Sequence, residues 1–99
     1  MPQRYRLTAN AEDDLTAIFI AGLAEFGLEQ ADAYHDGLFA TFAFLAEYPR
    51  AARLRDEIDP PVRAHRYRSH LVIYELGSDD LVIILRVRHG REDWLAGGE

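Results

Sequence analysis

The sequence predicts an α+β fold in chain order βααβββ, an N-terminal helical hairpin packed on a small, mainly antiparallel sheet. Three observations lead there. Apolar side chains recur at three- and four-residue spacing over residues 11–45, the period of helices that bury one face. Beyond residue 62 the period drops to two, and residues 81–85 are apolar without a break, as in a central strand covered on both sides. Between these halves, residues 50–61 form a polar connector that ends in Asp59-Pro60-Pro61.

Residues 5–8 read as a short first strand. Thr8 then caps a helix over about 9–26: its hydroxyl can accept an early backbone N–H, and Glu12, Asp13 and Asp14 lie near the positive end of the dipole. Ala11, Leu15, Ile18, Gly22 and Phe26 mark its buried face. Gly27 is suited to an αL C-cap. A second helix follows at about 29–47, with Ala31, Tyr34, Leu38, Phe42 (or Thr41) and Leu45 as its stripe and Pro49 closing it. Phe39, Ala43, Phe44 and Ala46 widen that stripe, so this helix should pack on both the first helix and a sheet. Strands are expected at about 62–68, 70–77 and 81–88, with Gly77-Ser78-Asp79-Asp80 turning between the last two.

Alternation assigns faces. His70, Val72, Tyr74 and Leu76 share one, and Leu71, Ile73 and Glu75 the other; Ile83, Leu85, Val87 and His89 are expected together, opposite Ile84, Arg86 and Arg88.

The 99 residues are expected to form one domain. No apolar run approaches the roughly 18–20 residues of a membrane span, and the N-terminus lacks the apolar core of a signal peptide. Without cysteine there is no disulfide framework and no thiolate chemistry, and the cytoplasm is the expected compartment. Lysine is also absent. Net charge is −6, unevenly spread: residues 1–48 set Arg4 and Arg6 against eight acids, while residues 49–99 balance nine arginines with nine acids. Within residues 62–91, Arg63, Arg66, Arg68, Arg86, Arg88 and Arg91 face only Glu75, Asp79 and Asp80. A local basic patch on an acidic body fits a protein partner better than nonspecific nucleic acid, which calls for a broad basic face.

Two chemical readings attach to that patch. His70, His89, Arg68, Arg88 and Tyr74 have the residue types of an RNA-cleaving site, with His or Tyr moving a proton and arginine meeting phosphorane charge. Alternatively, the arginines are solvated or ion-paired, the histidines end strands and Tyr74 is core. The four histidines show no metal-ligand spacing, there is no phosphate-binding glycine loop, and no metal or cofactor is expected. Trp94, past the last strand, is either a core lid or an exposed contact.

Taken together, L-T-x-x-A-E-x-D-L at residues 7–15, Glu47-Tyr48-Pro49, Arg63 with Ser69-His70-Leu71-Val72-Ile73-Tyr74, and Ile84-Leu85-Arg86-Val87-Arg88-His89-Gly90-Arg91 resemble the ParE toxins of the RelE/ParE superfamily over nearly the whole chain. The resemblance implies the toxin of a type II toxin–antitoxin system. It would inhibit growth by binding a topoisomerase, DNA gyrase foremost, without catalysis. A ParD-like ribbon-helix-helix antitoxin would neutralise it in a hetero-complex and alone contact operator DNA; no membrane is involved. RelE-like relatives are instead ribosome-dependent mRNA endonucleases. Against that alternative stand the missing lysine, Gly90 where a His-Tyr pair needs tyrosine, and His70 where an arginine is usual, while His89 fits both. Under the ParE reading, Arg63, Arg66, Arg68, Arg86, Arg88 and Arg91 supply antitoxin-facing charge. Tyr74, Leu85 and Val87 form its apolar floor, and His89, Arg91 and Trp94 serve toxicity.

Overall fold

The computed structural model describes residues 5–90. Its elements are β1 (Tyr5–Leu7), α1 (Ala9–Phe26), α2 (Leu28–Glu47), β2 (Leu54–Arg55), β3 (Val62–Tyr67), β4 (His70–Leu76) and β5 (Val82–His89). Two helices pack on one face of a five-stranded mixed sheet ordered β1-β5-β4-β3-β2, in which β1 runs parallel to β5 and the other neighbours are antiparallel. The pair β2, only two residues long, was not foreseen. It has no room to display a period, and it adds a short edge beside β3 inside the expected connector.

Thr8 does two jobs. Its hydroxyl oxygen accepts the Ala11 N–H at 3.1 Å, capping α1 as its position predicts, and its O–H donates to the Leu85 carbonyl at 2.8 Å, tying the helix start to β5. Gly27 also ends α1, but with φ +92° and ψ 171°, an extended positive-φ geometry open essentially to glycine, instead of the expected αL. Its N–H bonds to the Leu23 carbonyl while its own carbonyl accepts Ala31 N–H, so one residue closes α1 and opens α2. The turn after β4 has the expected residues: Gly77 N–H reaches the Leu81 carbonyl, and Asp79 and Asp80 take positive φ, which short Asx side chains tolerate.

The core lies between the hairpin and the sheet, with Ala11, Leu15, Leu38, Phe42 and Leu45 meeting Val72, Tyr74, Val82, Ile84 and Val87. This corrects the facing expected for β5. Ile73 opposes Arg86 and Tyr74 opposes Ile84, so Leu85 has no partner and forms a bulge. The extra residue shifts the alternation, and Ile84 therefore joins Val87 in the core instead of facing away from it. A strict period of two cannot anticipate an inserted residue.

Tyr74 is wholly buried; its hydroxyl donates to the Pro49 carbonyl at 2.8 Å and accepts the Ala52 N–H at 3.4 Å, pinning the segment after α2 to the sheet. Burial pushes its phenol above the ordinary value. Gly37 is required by a close approach, because a Cβ there would overlap the Tyr67 hydroxyl. Gly37→Ala should therefore cost about 1–3 kcal/mol of overpacking. Denaturant unfolding of Gly37→Ala alone and combined with Tyr67→Phe tests this: the second change should restore part of the loss, and equal stability of Gly37→Ala and the parent would refute the close contact.

Candidate functional site

Strand β1 covers the outer edge of β5 only from Val82 to Ile84. Beyond the bulge, side chains take over the work of a neighbouring strand. The Asp14 carboxylate accepts the Val87 N–H at 2.9 Å and, through both oxygens, Arg86 Nε at 2.8 Å and Nη2 at 3.0 Å. Burial pushes the Asp14 carboxyl up, but the Arg86 and Val87 hydrogen bonds and the charges of Arg86 and Arg88 outweigh it, leaving the group below the usual Asp range. The sequence offered Asp14 only as a dipole-matching acid. Its partners lie on a strand at the far end of the chain, and no local pattern points to them.

Held this way, α1 stands off the end of the sheet and leaves a groove of about 630 Å³. Along the hairpin its lining is mostly small and apolar, with Ala17, Ala21, Gly22 and Ala31 between Ile18 and Phe26; at the sheet end it is polar, with Asp14, Ser69, His70, Arg86, Arg88 and His89. Glu25 stands at its rim on α1. Such a cleft can take an amphipathic segment whose apolar side lies against the hairpin and whose carboxylates reach the strand end.

At that end His70 and His89 are directly opposed across β4 and β5, their rings edge-to-face with centroids 5.3 Å apart. Tyr34 Oη lies 2.6 Å from His70 Nδ1, and the Tyr34 ring also packs edge-on against Tyr67. Burial raises the Tyr34 phenol above its ordinary value, and its hydroxyl also donates to the Tyr67 carbonyl at 3.5 Å, so it bridges the end of β3 and the His70 ring. Tyr34 had been read only as part of a helical stripe.

The residues expected to act together are thus sorted into several places. Arg86, Val87, Arg88 and His89 line the groove. Arg86 is held by Asp14, and Val87 is 3% exposed, so it belongs to the chain's own core and is not a floor open to a partner. The same correction applies to Tyr74, which is fully buried beneath Pro49 and far from the histidine pair in register; the five-residue cleavage set built on it is not assembled. Leu85, the bulge residue, is half-buried and gives its carbonyl to Thr8. Arg63 donates to the Ala52 carbonyl at 2.7 Å. Arg66 donates to the Arg68 carbonyl, and its guanidinium lies against Gly90. Arg68 sits in the two-residue turn between β3 and β4 at φ +50°, its Nε on the Tyr67 hydroxyl. Arg63, Arg66 and Arg68 do not line the groove. Arg91 and Trp94 lie outside the described residues. Among the described residues no three His, Asp or Glu side chains gather as a metal site, and no helix is long and apolar enough to cross a membrane.

Residues 5–94 match the family described as the ParE toxin of type II toxin-antitoxin system, parDE. Toxin ParE1 of Mycobacterium tuberculosis is 31% identical over 93 residues, spanning 94% of this chain and 95% of its own length. Toxin ParE1 of Caulobacter vibrioides is 34% identical over 85 residues, 86% of each chain. In fold the chain is similar to a solved structure, the chromosomal ParDE TA system from P. aeruginosa, with a TM-score of 0.72 at 21% identity over 88% of this chain and 95% of that one.

Removing the Asp14 carboxylate strands the Val87 N–H and releases Arg86, so Asp14→Ala should cost on the order of 1–3 kcal/mol, with the partial exposure of Arg86 holding it toward the lower end. Because the folded carboxyl titrates below the unfolded value of about 3.9, its contribution is complete above that pH and is lost as pH falls through the folded value. Unfolding followed from pH 7 to pH 2 should show the parent losing this increment in the acid range and Asp14→Ala lacking it; parallel curves would refute the assignment.

Proposed function

The chain belongs to the ParE toxin family of type II toxin–antitoxin systems, and from that premise we propose that it arrests growth by binding a topoisomerase, DNA gyrase first among candidates. A ParD-like ribbon-helix-helix antitoxin would hold it inactive in a hetero-complex, with operator DNA contacted only through that partner and the pair acting in the cytoplasm. The whole chain would act as one domain and make or break no covalent bond.

The observation behind this reading is the groove. It is apolar along α1 and α2 and polar, with two arginines, at the end of β5, a complement to an amphipathic segment with acidic residues toward one end. Arg88 is the groove residue placed to meet those carboxylates. Arg63, Arg66 and Arg68 would contribute only if the partner continued past the groove across β3.

The histidine pair supports a second reading, RNA cleavage. His70 and His89 are within reach of one another beside Tyr34, but Tyr34 is hydrogen-bonded and the geometry is as well explained by packing at the strand ends.

Two measurements check the proposal. In cells making the toxin without antitoxin, growth should stop while transcripts stay intact and gyrase becomes trapped on DNA; cut transcripts abolished by His89→Ala would favour the nuclease instead. In binding experiments, Arg88→Glu should weaken a ParD-like antitoxin about 10- to 100-fold, as expected for reversing a charge at a partly desolvated contact. Unchanged affinity would remove the strand end from the interface.

A further inference from the structure

The second half of α1 is apolar on more sides than the fold covers. Ile18 and Gly22 turn toward α2 and the sheet, and Ala17, Ala21 and Phe26 border the groove. On the remaining side Ile20 is 59% exposed and Leu23 41%, with Ala24 exposed one turn after Ile20 and Leu28, 59% exposed, opening α2 just past Gly27. None of these four lines the groove. A helix apolar around most of its circumference is ordinarily covered, and a contiguous patch of large apolar side chains on a small protein marks an interaction surface.

The charge of the helical hairpin that carries it says what can cover it. From Thr8 to Pro49 there is no arginine and no lysine, while Glu12, Asp13, Glu25, Glu29, Asp32, Asp36 and Glu47 are all exposed. A second copy approaching through the same face would set acid against acid, a juxtaposition costing several kcal/mol across an interface. Nucleic acid and anionic lipid are repelled for the same reason. The remaining complement is a protein surface that is cationic around an apolar depression.

We propose that the outer face of the second half of α1, continued by Leu28, is a docking surface separate from the groove, and that its occupant is the toxin's target protein, presenting an apolar depression rimmed with lysine and arginine. This deepens the target reading above and rests on it. A topoisomerase, which handles polyanionic DNA on basic surfaces, has the required charge. Separation of the two faces also means that the antitoxin need not cover the target-binding residues themselves; it could neutralise the toxin by bulk or by holding the hairpin.

The test uses the full-length toxin and four forms: parent, Ile20→Ser with Leu23→Ser, Ala24→Glu, and Ala24→Arg. All the changes lie on exposed positions, and thermal unfolding confirms that each form is folded. In a gyrase supercoiling assay the serine pair and Ala24→Arg should need about tenfold more toxin for half inhibition, the loss typical of an interface anchor or a reversed charge. Ala24→Glu, of similar length but matching sign, should stay within about threefold, and affinity for the antitoxin should be unchanged in all four. Equal loss in Ala24→Glu and Ala24→Arg, or undiminished inhibition by the serine pair, overturns the proposal. So does a parent that dimerises in sedimentation and becomes monomeric in the serine pair, since the occupant is then a second copy. If the parent leaves gyrase untouched, the gyrase reading fails, and growth arrest without antitoxin scores the same four forms: the same ranking upholds the docking face, and equal arrest overturns it. A parent that neither inhibits nor arrests overturns both.

Discussion

One carboxylate organises this molecule. Asp14 stands on the second turn of α1 and binds three N–H groups of β5, two from the Arg86 guanidinium and one from the Val87 backbone. That contact substitutes for the strand pairing β5 loses once β1 ends at Leu7. With Thr8, which holds the Leu85 carbonyl, it stabilises the bulge that turns Ile84 and Val87 together into the core. The same contact sets how far α1 stands from the strand end. The groove, the facing of β5 and the fate of one groove arginine therefore share a single origin.

A second theme is the separation of charge along the chain. The hairpin is acidic without a compensating cation between Thr8 and Pro49, and the arginines collect on and beside the sheet. Within the fold this asymmetry joins hairpin to sheet at Asp14 and Arg86, while Arg50 pairs with Asp80 and Arg53 with Glu57 at the surface. Exposed pairs of the latter kind contribute little to stability. What the asymmetry does instead is give the molecule faces of different chemical character, a cleft whose sheet end carries arginines and an outer helix face on an acidic hairpin. A toxin that must meet both an antidote and a target gains from presenting them with unlike surfaces.

Much of the architecture was legible in the sequence because it rests on local rules. The three-to-four spacing of Ala11, Leu15 and Ile18 and of Ala31, Tyr34, Leu38, Phe42 and Leu45, the Thr8 cap, the break at Gly27 and the alternation in His70–Leu76 each depend on near neighbours. Two local features were missed: β2, which is too short to carry a pattern, and the positive-φ extended geometry of Gly27. The site was less legible, since its parts are distant in sequence. The bulge at Leu85 is stabilised by residues more than 70 positions away, and so period-two reasoning placed Ile84 on the wrong face. Tyr74 and Val87 were assigned to a partner because an apolar strand face looks the same from sequence whether the chain's own helices cover it or another chain does. Tyr34 and Asp14 went unnoticed as site residues because each also fits an ordinary helical role.

On the function proposed, this chain acts by occupying a surface and not by cutting a substrate. The most direct measurement is DNA supercoiling by purified gyrase in the presence of increasing purified toxin, repeated after the toxin has been mixed with antitoxin. Excess toxin should suppress supercoiling or accumulate the gyrase cleavage complex, and antitoxin should reverse this near equimolar ratio. Full supercoiling at a large excess of toxin would contradict it.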